Sequence, residues 1–239
     1  MSSPSAPGRP FQETAFPHRL VIPVHGLSPI PAAPVRVGRP ERVRRLRKGT
    51  GRTGMTRIFG LAGSLRRASL NAGLLRAAAE LAPAGVEVEV HSIAGVPIYD
   101  GDLEAETGLP EAVVRLQERL AAADALLLVT PEYNNGIPGA FKNTIDWMSR
   151  PPAGRTLFRG KPVAIIGASP GNFGTTLAQT HWLPVIRTLG MEPWFEGRLM
   201  VSRAGEVFDG DGTLTDEATR ARLAEFLAGF ARFLGRPRD

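Results

Sequence analysis

Short apolar runs and longer segments of helical spacing take turns along the chain from Arg57 to Leu234. RIFGLA at 57–62 has the pattern of a short buried strand. LNAGLLRAAAELA at 70–82 sets Leu70, Leu74, Leu75 and Leu81 at helical spacing, and Pro83 and Gly85 end it. VEVEV at 86–90 alternates strictly, which predicts a strand, and PEAVVRLQERLAAA at 110–123 predicts a helix. ALLLVT at 125–130 is apolar throughout, as a strand covered on both faces requires. GAFKNTIDWMS at 139–149 predicts a helix with Pro138 near its start. PVAIIGAS at 162–169 is another buried strand, and TTLAQTHWLPVIRTLG at 175–190 is a helix kinked near Pro184. EPWFEGRLM at 192–200 reads as a fifth strand with Pro193 at its start or on an edge. DEATRARLAEFLAGFARFL at 216–234 is a closing amphipathic helix, capped by Thr215 or Asp216.

Strands interleaved with helices predict an α/β fold, a parallel sheet with helices on both faces. Five strands fit the flavodoxin-like doubly wound order 2-1-3-4-5, which binds ligands beyond the carboxyl ends of its strands. No internal repeat interrupts the alternation.

Residues 1–54 stand apart. They are rich in Pro, Arg, Gly and Ser and lack apolar periodicity. Such a segment cannot bury enough apolar surface to offset its ordering entropy. The expected organisation is a disordered Pro/Arg-rich extension over 1–54 and one ligand-binding domain over 55–239. RVRRLRKG at 42–49 is not followed by an apolar h-region, which argues against a secretory signal. Prolines at 23, 29, 31, 34 and 40 interrupt any amphipathic helix of a transit peptide. Met55 stands directly before the first strand.

The length of 239 residues suits one globular domain plus that appendage. The chain has no cysteine, which excludes disulfides, thiolate nucleophiles and Cys-ligated metal or iron–sulfur sites. A disulfide-free chain fits the cytoplasm. No apolar run approaches the ~18 residues of a membrane span. The formal charge of +6 is unevenly distributed: residues 1–54 carry ten Lys+Arg against two Asp+Glu, a net of +8, and the rest nets −2. A nucleic-acid footprint is a basic patch on a folded surface, so no nucleic-acid partner is expected.

Three loops at strand carboxyl ends carry the candidate chemistry. GSLRRASLN at 63–71 offers Ser64, Arg66, Ser69 and Asn71, with Leu65 and Leu70 between them, at a helix N-terminus. Exposed N–H groups and the helix macrodipole suit such a turn to a phosphate. It has neither the Walker A nor the G-x-G-x-x-G pattern, and a Ser-rich turn also serves as a plain N-cap. PEYNNG at 131–136 offers Pro131, Glu132, Tyr133 and Asn134, with Gly136 as a residue free to adopt positive φ. Its backbone groups could pair with the edge of a flat heteroaromatic ring. The same residues also suit a tight turn. GASPGNFGTT at 167–176 brings Ser169 within a small, bendable loop. All three converge on one crevice, and a phosphate site beside a flat-ring site describes a mononucleotide such as FMN.

Other motifs carry less. DGDGT at 209–213 lacks the spacing of a calcium loop and reads as a surface turn. His18, His25, His91 and His181 show no metal-ligand spacing, so no metal is expected.

GSLRRASLN, TPEYNNGIPGAFKNTIDW and GASPGNFGTTLAQ together resemble the signature loops of the NADPH-dependent FMN reductases, the quinone- and chromate-reducing members in particular. The resemblance spans 57 to about 200. It implies that Ser64, Arg66, Ser69 and Asn71 hold the FMN phosphate. Pro131, Glu132, Tyr133 and Asn134 flank the isoalloxazine through backbone groups, and Ser169 closes the far side. It also implies NAD(P)H as substrate, ping-pong transfer through FMN to quinones, flavins, azo compounds or chromate, and no catalytic side chain. A homodimer or homotetramer follows from the IPGAFKNTIDW region, which relatives bury between subunits. Gly136 departs from a Ser common in relatives. A flavodoxin-like electron carrier and a non-catalytic interaction protein are the competing readings.

Overall fold

The computed structural model describes residues 54–237, and the extension expected over 1–54 lies outside them but for Gly54. β1 (Thr56–Ala62) and β2 (Val86–Ser92) flank α1 (Leu70–Glu80) in the chain. α2 (Gly101–Thr107), α3 (Glu111–Ala122) and β3 (Ala125–Val129) follow. Then come α4 (Gly139–Met148), α5 (Gly154–Leu157), β4 (Pro162–Ala168) and α6 (Thr176–Leu189). β5 (Glu192–Pro193), β6 (Leu199–Val201), a 3-10 turn (Ala204–Glu206) and α7 (Glu217–Leu234) complete the order. All pairings are parallel, in the order β2-β1-β3-β4-β5, with β6 also on β4. This is the flavodoxin-like arrangement.

Strand periodicity divides the core between the two faces of the sheet. Leu126 and Leu128 of β3 pack with Phe141 and Trp182 under α3, α4 and α6, while Leu127 and Val129 pack with Leu74 and Phe230 under α1 and α7. All five β3 residues are buried, so its uninterrupted apolar run has a physical cause.

The structure differs from the local expectations at two places, the fifth strand and α2. The fifth strand is two short pieces, because residues 194–198 leave the sheet edge. Trp194 turns inward there, stacks on Phe230 at 5.5 Å and meets Phe226 edge-on at 4.9 Å. Gly197 lies under the indole, where a Cβ would come within 2.2 Å of the ring. α2 was missed because it buries no residue; Asp100 caps it by accepting from Asp102 N–H at 2.9 Å. The helix expected over 175–190 is present as α6, with Pro184 inside it. DGDGT is a surface turn, as expected: four of its five residues are exposed, and Gly212 alone is buried, against α1.

Candidate flavin site

The first turn of α1 forms one wall. Ser69 is its N-cap and accepts from Ala72 N–H at 3.1 Å. Gly73 N–H donates to the Ser69 carbonyl at 2.9 Å. The N–H groups of Leu70 and Asn71 have no partner among the described residues. A helix start with free N–H groups is an anion site by geometry and dipole. The Arg66 guanidinium beside it is exposed and makes no hydrogen bond or ion pair among the described residues.

Asn71 is only 4% exposed, and its amide is committed elsewhere than sequence reading placed it. Nδ2 donates to the Ala168 carbonyl at 2.8 Å, and Oδ1 accepts from Ala168 N–H at 2.9 Å. This two-point contact fastens the start of α1 to the end of β4. Ser169 follows directly, and its N–H donates to the Val201 carbonyl at 2.9 Å.

The loop after β3 forms the other wall. Tyr133 and Gly136 exchange backbone hydrogen bonds at 3.2 and 3.0 Å around Asn134 (φ 49°) and Asn135 (φ 60°). That is a two-residue turn with both central residues left-handed, the backbone state Asn tolerates best after Gly. Gly136, expected to carry the unusual φ, does not; the two asparagines carry it. Glu132 Oε2 accepts from Ala178 N–H at 2.9 Å. Thr175, the N-cap of α6, makes no side-chain cap, so the Glu132 carboxylate caps that helix from another loop.

Ser64, Arg66, Ser69, Leu70, Asn71, Pro131, Glu132, Tyr133 and Ser169 all line one small cleft of about 50 Å³. A second compartment of about 330 Å³ shares Arg66 and Tyr133 with it and adds Leu65, Gly63, Pro138 and Gly139. The second compartment is in the size range of a small-molecule site. Asn134 lines neither compartment. Gly63, Pro138, Gly139 and Ala168 escaped sequence reading because they contribute backbone and open space rather than functional groups. Gly63 has a steric signature: a Cβ there would lie 2.0 Å from the Phe141 ring. Another groove, of about 250 Å³ along the broken fifth strand beside Ile165 and Phe195, contains none of these loop residues.

The cleft fits FMN by this donor set: N–H groups and a guanidinium without partners among the described residues at one end, and a turn with the Tyr133 ring at the other. Among the described residues no helix is long and apolar enough to cross a membrane.

The family model for NADPH-dependent FMN reductases matches residues 56–206. The chain is 42% identical over 182 residues to an NAD(P)H-dependent FMN reductase of Pseudomonas aeruginosa, covering 76% of this chain and 97% of that protein. It is 37% identical over 178 residues to a 2-hydroxy-1,4-benzoquinone reductase of Burkholderia sp, covering 74% and 96%. Among solved structures it resembles the flavoenzyme NAD(P)H:(acceptor) oxidoreductase FerB of Paracoccus denitrificans, with TM-score 0.65, 36% identity and 75% and 97% of the chains covered. The chain belongs to the NADPH-dependent FMN reductase family, an oxidoreductase with FMN as cofactor and NAD(P)H as reductant.

Proposed function

We propose that the chain is a cytoplasmic quinone reductase that works by a ping-pong mechanism, with free flavins, azo compounds and chromate as further acceptors. One observation carries the reading: the loops after β1, β3 and β4 meet in one cleft whose two ends differ in chemistry. Held there, FMN would supply two-electron redox chemistry between NAD(P)H and the acceptor.

The chain's own residues bind and orient. Ser64, Arg66, Ser69 and the N–H groups of Leu70 and Asn71 hold the phosphate. Pro131, Glu132, Tyr133 and Asn134 shape the turn that borders the ring, and Ser169 closes the opposite side. Exposed Leu65 and Tyr133 flank the side where reductant and acceptor enter in turn. The Glu132 carboxylate is held by Ala178, which supports a mechanism without a side-chain acid or base.

The functional unit is a homodimer or homotetramer, and residues 1–54 are dispensable to the reductase. The test has three parts. Purified protein shows a flavin spectrum with FMN as the released species. Double-reciprocal plots against NAD(P)H at several quinone concentrations are parallel; intersecting lines sink the shared-site mechanism. A chain starting at Met55 keeps its flavin and its oligomeric state by light scattering.

A further inference from the structure

Residues 208–214, FDGDGTL, fold back behind the β1–α1 loop as a hairpin. Phe208 and Leu214 form its antiparallel bridge and are both buried. Asp209 closes the turn from inside. Its Oδ1 accepts from Asp211 N–H at 3.0 Å and from Thr213 N–H at 2.7 Å, and its own N–H donates to the Thr213 carbonyl at 3.0 Å. Gly212 at the tip has φ +78°.

The tip is pressed onto the start of α1. A Cβ on Gly73 would lie 1.8 Å from the Gly212 carbonyl oxygen, so only glycine allows this approach. Arg76 Nη2 donates to that same carbonyl at 3.2 Å. On the other side, a Cβ on Gly212 would stand 3.4 Å from the Ala68 carbonyl carbon and from the Ser69 carbonyl oxygen. The hairpin therefore touches the first turn of α1 both before the Ser69 cap and one turn after it. Asn71 is fixed from the opposite direction by Ala168.

We propose that the hairpin 208–214 is a positioning element for the FMN phosphate, holding the Leu70 and Asn71 N–H groups at fixed separation from Ser69 and Arg66. The proposal rests on the reading that this turn takes the phosphate. Asp209 touches no ligand group and acts through Gly212. Its negative charge opposes a bound dianion, so a geometric role and a charge role differ in sign.

Flavin is removed from the full chain, which is then titrated with FMN and with riboflavin. Asp209→Ala opens the turn and weakens FMN binding about fivefold, the equivalent of one neutral hydrogen bond, with riboflavin changed less than about twofold. Asp209→Asn keeps an accepting oxygen and binds FMN as the parent does. Gly73→Ala weakens FMN about tenfold or more; if that variant does not fold, the Asp209 pair decides alone. Unchanged or tighter FMN binding in Asp209→Ala overturns the proposal, as does equal weakening of both flavins. Arg66→Ala separates the two readings. If it fails to distinguish FMN from riboflavin, the phosphate assignment is wrong and the hairpin proposal falls with it. If it distinguishes them and Asp209→Ala does not, the hairpin proposal alone is wrong.

Discussion

The Asn71 amide and the Ala168 backbone exchange two hydrogen bonds, at 2.8 and 2.9 Å, between residues 97 apart in the chain. This pair ties the phosphate end of the cleft to the last residue of β4. Both partners are buried, so neither Ala168 group has water as a substitute. Asn71→Ala strands a donor and an acceptor, each worth about 1–3 kcal/mol. Asn71→Asp removes the donor and sets a carboxylate against the Ala168 carbonyl. Urea denaturation should show a loss of stability in both, with Asp the larger, and a return of parental stability in either would remove the strut from the account.

The Arg66 guanidinium makes no hydrogen bond or ion pair among the described residues, and its backbone N–H bond to Ser64 Oγ survives truncation, so Arg66→Ala should leave the fold alone. Arg66→Ala is expected to weaken FMN by about 1.5–3 kcal/mol, the scale of a hydrogen bond to a charged group, and riboflavin far less. Flavin titration followed by fluorescence measures both. Equal losses would place the guanidinium away from the phosphate.

Glu132 caps α6 from across the cleft. Glu132→Gln keeps an accepting oxygen and should retain FMN and NAD(P)H oxidation. Glu132→Ala should cost about 0.5–2 kcal/mol, the usual range for a lost N-cap. If activity collapses in Glu132→Gln while FMN stays bound, the carboxylate takes part in the reaction.

The left-handed strain of the Tyr133–Gly136 turn sits on Asn134 and Asn135. Asn135→Val should therefore cost about 1–2 kcal/mol. Gly136→Ala should change stability by less than about 0.5 kcal/mol, because its Cβ would meet nothing nearer than His181 Nδ1 at 3.6 Å. Thermal melts of the two variants test the order, and a costlier Gly136→Ala would reverse it.

Asp216, the cap of α7, has its carboxyl pKa lowered by hydrogen bonds from Thr219. A carboxyl with a lowered folded pKa contributes stability above its unfolded pKa of about 3.9 and loses it as pH falls through the folded value. Asp216→Asn still caps the helix but does not titrate. The parent should thus lose more stability than the variant as pH drops below about 4. Superimposable acid limbs in pH-dependent melts would contradict this.

Much of the molecule is written in local pattern. The apolar run of β3, the Leu74–Leu75 face of α1 and the spacing between them specify alternating elements, and a parallel sheet with helices on both faces follows from burial on each side. That alternation also places the Ser64, Pro131 and Ser169 loops at one edge, because every strand in the sheet points the same way. What the sequence could not convey is non-local direction. Periodicity within a window says that Asn71, Glu132 and Trp194 belong to a helix start, a loop and a strand. It does not say that Asn71 spends its amide on Ala168, that Glu132 caps a helix 46 residues on, or that Trp194 leaves the sheet edge for Phe226 and Phe230. α2 lacks an apolar face and is held by its Asp100 cap, by the Arg150–Glu104 ion pair at 2.8 Å and by the Tyr99 hydroxyl, which donates to Glu104 at 2.9 Å. Hydrogen-bond direction and close backbone approach, such as Gly73 against Gly212, exist only once distant segments are packed together. Tertiary structure therefore decided which of the site's polar residues brace the cleft and which remain free for a ligand.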